Sequence, residues 1–203
     1  KDFGLPLEKD DRNLSIALGG MSKGVSPQDM AEAYTVFANN GVRNESHAIV
    51  KIQDPNGKEM AVWEEQSKKV ATKEVVEKMN SMLLGVVKYG TGVNAAVEGH
   101  EIAGKTGSTQ VPIEGISGVK DQWFVGYTPS LVGAVWVGYD KTDKDHYLTT
   151  YSSEGATKIF QKIMAQSLQS KESKSFEAAD IGPLIEEQER KLMEVAALSK
   201  EEA

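Results

Sequence analysis

The 203-residue sequence contains no cysteine. That absence excludes disulfides, thiol nucleophiles and zinc–cysteine sites together, and it leaves the redox compartment open. A run of about 18 apolar residues is also missing, so no membrane span is read within these residues. Lys1-Asp2-Phe3-Gly4 is not a charged leader followed by an apolar stretch, so no signal peptide is read either, and any membrane anchor is expected elsewhere. Histidine is sparse. His47, His100 and His146 are scattered without metal-ligand spacing and read as surface or strand residues, not as a metal or catalytic set. Positive charge is short as well, with 23 Lys and Arg against 30 Asp and Glu and a net charge of −7. Residues 171–203 hold nine acidic and five basic side chains and so contribute −4 of that charge. No basic stripe remains to neutralise phosphates, which argues against nucleic acid as a partner. Gly90 and Gly92 lack the following Lys-Ser/Thr of a phosphate loop, and no motif calls for a cofactor or a metal.

What is present is a globular composition, 39% hydrophobic and 26% charged, in a chain long enough for one ordinary domain. Ser26-Pro27-Gln28-Asp29 reads as a helix start, with a hydroxyl cap, proline at the first helical position and an acid at the third. Met30, Tyr34 and Phe37 share one face of that helix, and Asn40-Gly41 ends it. Segments 47–53 and 58–63 flank Asp54-Pro55-Asn56-Gly57, whose residues suit the turn of a β-hairpin. A second helix follows from Thr72, with Val75, Met79, Met82, Leu83 and Val86 at helical spacing until Gly90.

From His100 the pattern becomes extended. Segments 102–111, 122–127 and 131–139 read as three neighbouring antiparallel strands, with a glycine-containing loop over 112–120 and a tight turn at Thr128-Pro129-Ser130. A last core helix starts near Ser153 and carries Ala156, Ile159, Phe160, Ile163, Met164 and Leu168 along one side. The order predicts an α+β fold, an antiparallel sheet covered by helices. Met79, Met82, Trp123, Phe124 and Trp136 follow the element periods and are expected in its core. One boundary is expected near residue 170. Residues 1–170 form the main body, and 171–203 a charged tail that is either a surface helix or disordered.

Lys105-Thr106-Gly107-Ser108-Thr109 lies inside the first of the three strands. Gly107 weakens a strand but lets another backbone approach closely. Lysine beside hydroxyls can hold a carboxylate by charge-assisted hydrogen bonds, and a backbone N–H at such a place can face a developing oxyanion. Hydroxyls at 106 and 108 share a face by the two-residue period and are expected to converge on one carboxylate. The tripeptide alone is a weak signal. Its context is not: Gly104 to Thr109 followed by Asp121-Gln122-Trp123-Phe124-Val125-Gly126-Tyr127-Thr128-Pro129 and by Ala134 to Asp140 resembles successive strands of penicillin-binding transpeptidase domains. Ala17-Leu18-Gly19-Gly20, Gly24-Val25-Ser26-Pro27, Met30 to Gly41 and Tyr89-Gly90-Thr91-Gly92 resemble the same family, in particular its bifunctional class A members.

The resemblance covers residues 1 to about 168 in the family's order, and implies a serine β-lactamase/penicillin-binding transpeptidase-like fold. It implies that Lys105 supplies positive charge and that Thr106 and Ser108 hold the substrate carboxylate. It implies too that the N–H of Ser108 completes an oxyanion hole, that Gly107 gives clearance, and that Thr109 is a further substrate-binding residue of the strand. The family's nucleophile comes from a Ser-x-x-Lys motif with a Ser-x-Asn neighbour. Ser-x-Asn is absent here, and Ser-x-x-Lys occurs only as Ser117-Gly118-Val119-Lys120, in a loop that offers no helical turn to join its ends. The implied partners are therefore peptidoglycan stem peptides, β-lactam antibiotics and an N-terminal half of the same protein that carries the serine. The implied location is the outer face of the bacterial cytoplasmic membrane, anchored by a segment outside this chain. A serine β-lactamase, or a non-catalytic peptidoglycan- or partner-binding domain of the same fold, remain the alternative readings.

Overall fold

The computed structural model describes the backbone of residues 2–201 and the side chains of residues 2–191. Helix α1 (Pro27–Ala38) begins where the sequence sets it. The Ser26 hydroxyl accepts the Asp29 N–H while the Asp29 carboxylate accepts the Ser26 N–H, and Pro27 occupies a position whose N–H would have had no partner. The helix stops at Asn39, and the chain then turns through positive φ at Asn40 (48°) and Gly41 (93°). Glycine is required at 41, because a Cβ there would lie 2.1 Å from the Ala71 carbonyl oxygen. That close crossing joins two short strands the sequence pattern had not marked, β1 (Val42–Asn44) and β4 (Ser67–Lys69), which pair antiparallel.

Between them stands the hairpin of β2 (Lys51–Gln53) and β3 (Glu59–Val62), shorter than expected. The Asp54 carboxylate accepts the N–H groups of Asn56 (2.8 Å) and Lys58 (2.9 Å), and Gly57 takes a φ of 82°. Helix α2 (Lys73–Tyr89) is capped by Thr72. Its buried set differs from the expected one: Val76, Asn80, Leu83, Leu84 and Val87 face inward, while Val75 and Met82 are half exposed. Both stripes carry apolar residues, and Asn80 makes the true one look polar. Asn80 is satisfied inside, accepting the Tyr127 O–H at 2.7 Å and donating to the Glu177 carbonyl at 3.2 Å. Burial, with a smaller contribution from Tyr34, pushes the Tyr127 phenol far above its ordinary range, so it stays a donor.

Strands β5 (Ala103–Gln110), β6 (Val119–Tyr127) and β7 (Val132–Gly138) form one antiparallel sheet in that order. Helix α3 (Ala156–Leu168) covers one face. Its Phe160 ring meets Phe124 at 4.7 Å, and Ala156, Met164 and Leu168 complete a single i, i+4 line. Ile159 and Ile163, expected on that side, flank the line and are about half exposed (43% and 52%). The other face carries Tyr127, which packs with Tyr34 and Phe37 of α1 and with Leu83 and Leu84 of α2. The architecture is thus the expected α+β layer.

Past α3, residues 171–181 run without regular structure along α2. Phe176 packs edge-on against Tyr127 at 5.2 Å, the Ser81 hydroxyl donates to the Ala179 carbonyl, and Lys73 pairs with Glu177. Helix α4 (Gly182–Glu201) follows, with Leu184 and Ile185 half exposed. The side chains of Leu192 and Val195, expected to extend its apolar stripe, lie outside the described residues.

Candidate active site

Lys105 to Thr109 lie on β5, an edge strand of the sheet. Which backbone groups reach the outside follows from the ladder. Residue pairs in an antiparallel ladder alternate between hydrogen-bonded and non-bonded. At the β6–β7 turn the Thr128 N–H bonds the Leu131 carbonyl at 2.8 Å, so Gly126, Phe124 and Gln122 direct their backbone groups toward β7. Val125 and Trp123 then face β5, which turns Lys105 and Gly107 inward and directs the N–H and C=O of Thr106 and Ser108 to the sheet's outer edge. An independent contact agrees: the Thr106 carbonyl accepts the Lys105 ammonium at 2.8 Å and not a ladder N–H.

Side chains alternate the other way. Thr106 and Ser108 share a face, opposite Phe124 and Gln122, and their hydroxyls are each held by a different element. Thr106 Oγ1 is 2.8 Å from Thr91 Oγ1, just past α2, and Ser108 Oγ is 2.8 Å from Ser152 Oγ, just before α3. Lys105, Gly107 and Thr109 stand on the opposite face, where a groove of about 570 Å³ runs along β5 between the strand and the Ile16–Met21 segment. Lys105 is exposed and has no acidic partner within ion-pair distance among the described residues. Beneath Gly107, a Cβ would approach that of Trp123 to 3.3 Å.

Trp123 and Trp136 were expected in the core. Instead they line the hollow that continues the groove past Thr109, with Trp136 36% exposed and its indole N–H donating to Asp121 at 3.0 Å. Their period assigns them to the face that α1 shares, but α1 covers that face around Tyr127 and leaves the Trp123 end open. Asp11 anchors the far rim. Its carboxylate accepts the N–H groups of Glu8 and Ser22 (both 2.7 Å) and the Ser22 hydroxyl (2.8 Å), and those bonds hold its pKa below the usual carboxylate range.

Ser117 is exposed in the loop before β6, and the chain from it to Lys120 enters a strand, so the two are not one helical turn apart. The histidines lie away from the groove: His47 stacks on Trp63 at 4.9 Å, and His146 Nδ1 is 2.8 Å from Asp143. Sequence reasoning had Gln122 on the neighbouring strand but missed its hold on the turn before α3, and it missed Thr91 and Ser152 as partners of the strand's hydroxyls. Thr91 had a trace in the Tyr-Gly-Thr-Gly run; Ser152 had none.

An antiparallel sheet helix-covered on both faces, with Lys-Thr-Gly-Ser on its edge strand, defines a β-lactamase-like α+β protein. Within that class, the family model described as the penicillin binding protein transpeptidase domain matches residues 3–165, and the chain belongs to this family. It is 46% identical over 161 residues to penicillin-binding protein 1F of Bacillus subtilis, covering 79% of this chain and 22% of that protein. It is 40% identical over 161 residues to penicillin-binding protein 2a of Streptococcus pneumoniae, with the same coverage of 79% and 22%. Among solved structures it resembles the penicillin-binding protein PonA1 of Mycobacterium tuberculosis, with a TM-score of 0.73, 26% identity, and coverage of 86% of this chain and 50% of that one. The same protein in complex with penicillin V gives a TM-score of 0.71 at 25% identity. The chain therefore spans about a fifth of the length of these curated relatives.

Proposed function

We propose that this chain forms the substrate-strand part of a serine-type, penicillin-sensitive D,D-transpeptidase, which cross-links peptidoglycan stem peptides through an acyl-serine. The serine comes from polypeptide outside these residues, and the enzyme works on the outer face of the bacterial cytoplasmic membrane, anchored by a segment also outside them. The observation that carries this reading is the edge of β5, where outward N–H groups at Thr106 and Ser108 stand beside two hydroxyls and a lysine without a carboxylate partner. An acyl donor adds there as an extra strand, antiparallel to β5. Its terminal carboxylate meets the Thr106 and Ser108 hydroxyls and the Lys105 charge. The Ser108 N–H bonds the carbonyl oxygen as it becomes an oxyanion, a donor whose loss costs about 10²- to 10³-fold in rate. Thr109 borders the groove beyond the carbonyl. The relatives' names, and the penicillin V bound to PonA1, support β-lactams as ligands of the same edge.

Acylation of the full-length protein by a fluorescent penicillin tests the reading. The isolated chain stays unlabelled, because Ser117 sits in the wrong element; labelling of the fragment that Ser117→Ala abolishes would overturn the assignment. In the full-length protein, Thr106→Val keeps shape and removes one hydroxyl. It slows acylation by carboxylate-bearing donors more than by analogues without the carboxylate, and equal losses would withdraw the carboxylate role.

A further inference from the structure

Ser152 lies 44 residues beyond Ser108, in the turn that leads into α3, and is only 4% exposed. Two of its groups converge on one atom. Its backbone N–H approaches Ser108 Oγ at 3.4 Å and its hydroxyl lies 2.8 Å from the same oxygen, the single hydroxyl contact it makes among the described residues. A hydroxyl has one proton and two lone pairs. The hydroxyl contact fits either direction, but a Ser152 O–H that is buried and has no other acceptor among the described residues takes the second lone pair of Ser108 Oγ beside the Ser152 N–H, which leaves the proton of the exposed Ser108 free for a ligand.

The turn that carries Ser152 is itself fixed from below Ser108. Gln122, the cross-strand partner of Ser108, is 1% exposed and spends both ends of its amide on this turn. Its Nε2 donates to the Thr150 carbonyl and, at 3.1 Å, to the Thr150 hydroxyl, while its Oε1 accepts the Ala156 N–H at 3.2 Å. The clasp thus grips the chain on both sides of Ser152. It also leaves no room for a side chain at Gly155, where a Cβ would fall 1.8 Å from Gln122 Oε1.

We infer that Ser152, clasped by Gln122, is a positioning residue that makes the Ser108 hydroxyl an outward-pointing donor to the carboxylate of the acyl donor. The inference rests on the transpeptidase reading above and adds a residue to it. Ser152 touches no substrate; it acts through Ser108 alone. Without it the Ser108 proton is free to turn inward, and the donor's carboxylate loses one oriented hydrogen bond, a loss of about five- to tenfold in rate.

The test uses the full-length protein. Second-order acylation rates are measured for wild type, Ser152→Ala, Ser152→Thr, Ser108→Ala and the Ser108→Ala/Ser152→Ala double variant, each with a carboxylate-bearing penicillin and with a β-lactam lacking the carboxylate. The stoichiometry of bound label normalises every rate to folded enzyme. Ser152→Ala should lose about five- to tenfold with the carboxylate donor and less than about twofold with the neutral one. Ser152→Thr, which keeps the hydroxyl, should recover most of the rate, and the double variant should be no slower than Ser108→Ala. Losses that multiply in the double variant, or that are equal for both donors, would overturn the inference while leaving the transpeptidase reading in place. A full-length wild type that neither donor acylates would overturn both.

Discussion

The sheet of β5, β6 and β7 and the hairpin of β2 and β3 are built by the same local rules, yet they end in opposite environments. In the sheet, Phe124, Val125 and Tyr127 are 0%, 3% and 0% exposed, because α3 covers one face and α1 with α2 the other. In the hairpin, Ile52, Met60 and Val62 are 51%, 66% and 54% exposed, and every residue of both strands is open to solvent. Alternation and turn chemistry make strands; only neighbours distant in sequence make a core. It follows that the sheet's stability resides in its side chains and the hairpin's in its turn, and the candidate site rests on the first kind of structure.

The largest expected effect breaks the sheet side of this comparison. Phe160→Ala removes the ring that fills the space above Phe124 and Gly126, and a cavity there should cost about 3–5 kcal/mol in a urea or guanidinium unfolding experiment. A loss below about 1 kcal/mol would mean that α3 is not the sheet's main cover. Next comes the buried polar pair on the opposite face. Asn80→Ala strands the Tyr127 hydroxyl, 0% exposed at the residue level, and should cost about 1–3 kcal/mol. Tyr127→Phe in that background should return part of the loss, since it removes the group left without a partner.

These two positions also mark how far the sequence can be read. Helix α1 was legible because its cap, proline and stop are consecutive residues, and the three strands because their alternation is local. Lys105 to Thr109 could be found for the same reason. The face of α2 was not, since a buried asparagine hides the inward stripe behind a polar letter, and its partners Tyr127 and Glu177 lie 47 and 97 residues away. Period assigned Trp123 and Trp136 to a face without saying where its cover ends. Gln122 sits on the strand read beside β5, but its grip on Thr150 and Ala156, and the meeting of Ser152 with Ser108, form only after β6, β7 and the turn before α3 are in place, and no spacing rule links residues 44 apart.

A smaller effect sharpens the hairpin side. Asp54→Ala removes a carboxylate that accepts two backbone N–H groups in the turn, and because water can replace it at an exposed site the cost should be about 0.5–1 kcal/mol. The change should appear mainly as faster amide hydrogen exchange across β2 and β3, with the exchange of β5 to β7 unaltered. Faster exchange in the sheet as well would contradict the independence of the two regions.

The smallest expected effect, at Val62, belongs to the most direct comparison of all. Val62→Ala in β3 and Val125→Ala in β6 delete the same two methyl groups from strands of the same kind. Val125 is 3% exposed and lies opposite Lys105, so its loss should cost about 1–3 kcal/mol and disturb the strand that carries the candidate site. Val62 is 54% exposed, pairs with Lys51 at the open end of the hairpin, and has little buried area to lose, so its change should stay within about 0.5 kcal/mol of wild type. Chemical denaturation of both variants, run in the full-length protein, reads the difference directly. Equal losses would mean that the exposed face of the hairpin, with Ile49, Ile52 and Trp63 beside Val62, is buried against another part of the full-length protein. A near-silent Val62→Ala alongside a costly Val125→Ala would leave the hairpin as a strand pair whose turn, and not its side chains, keeps it in place.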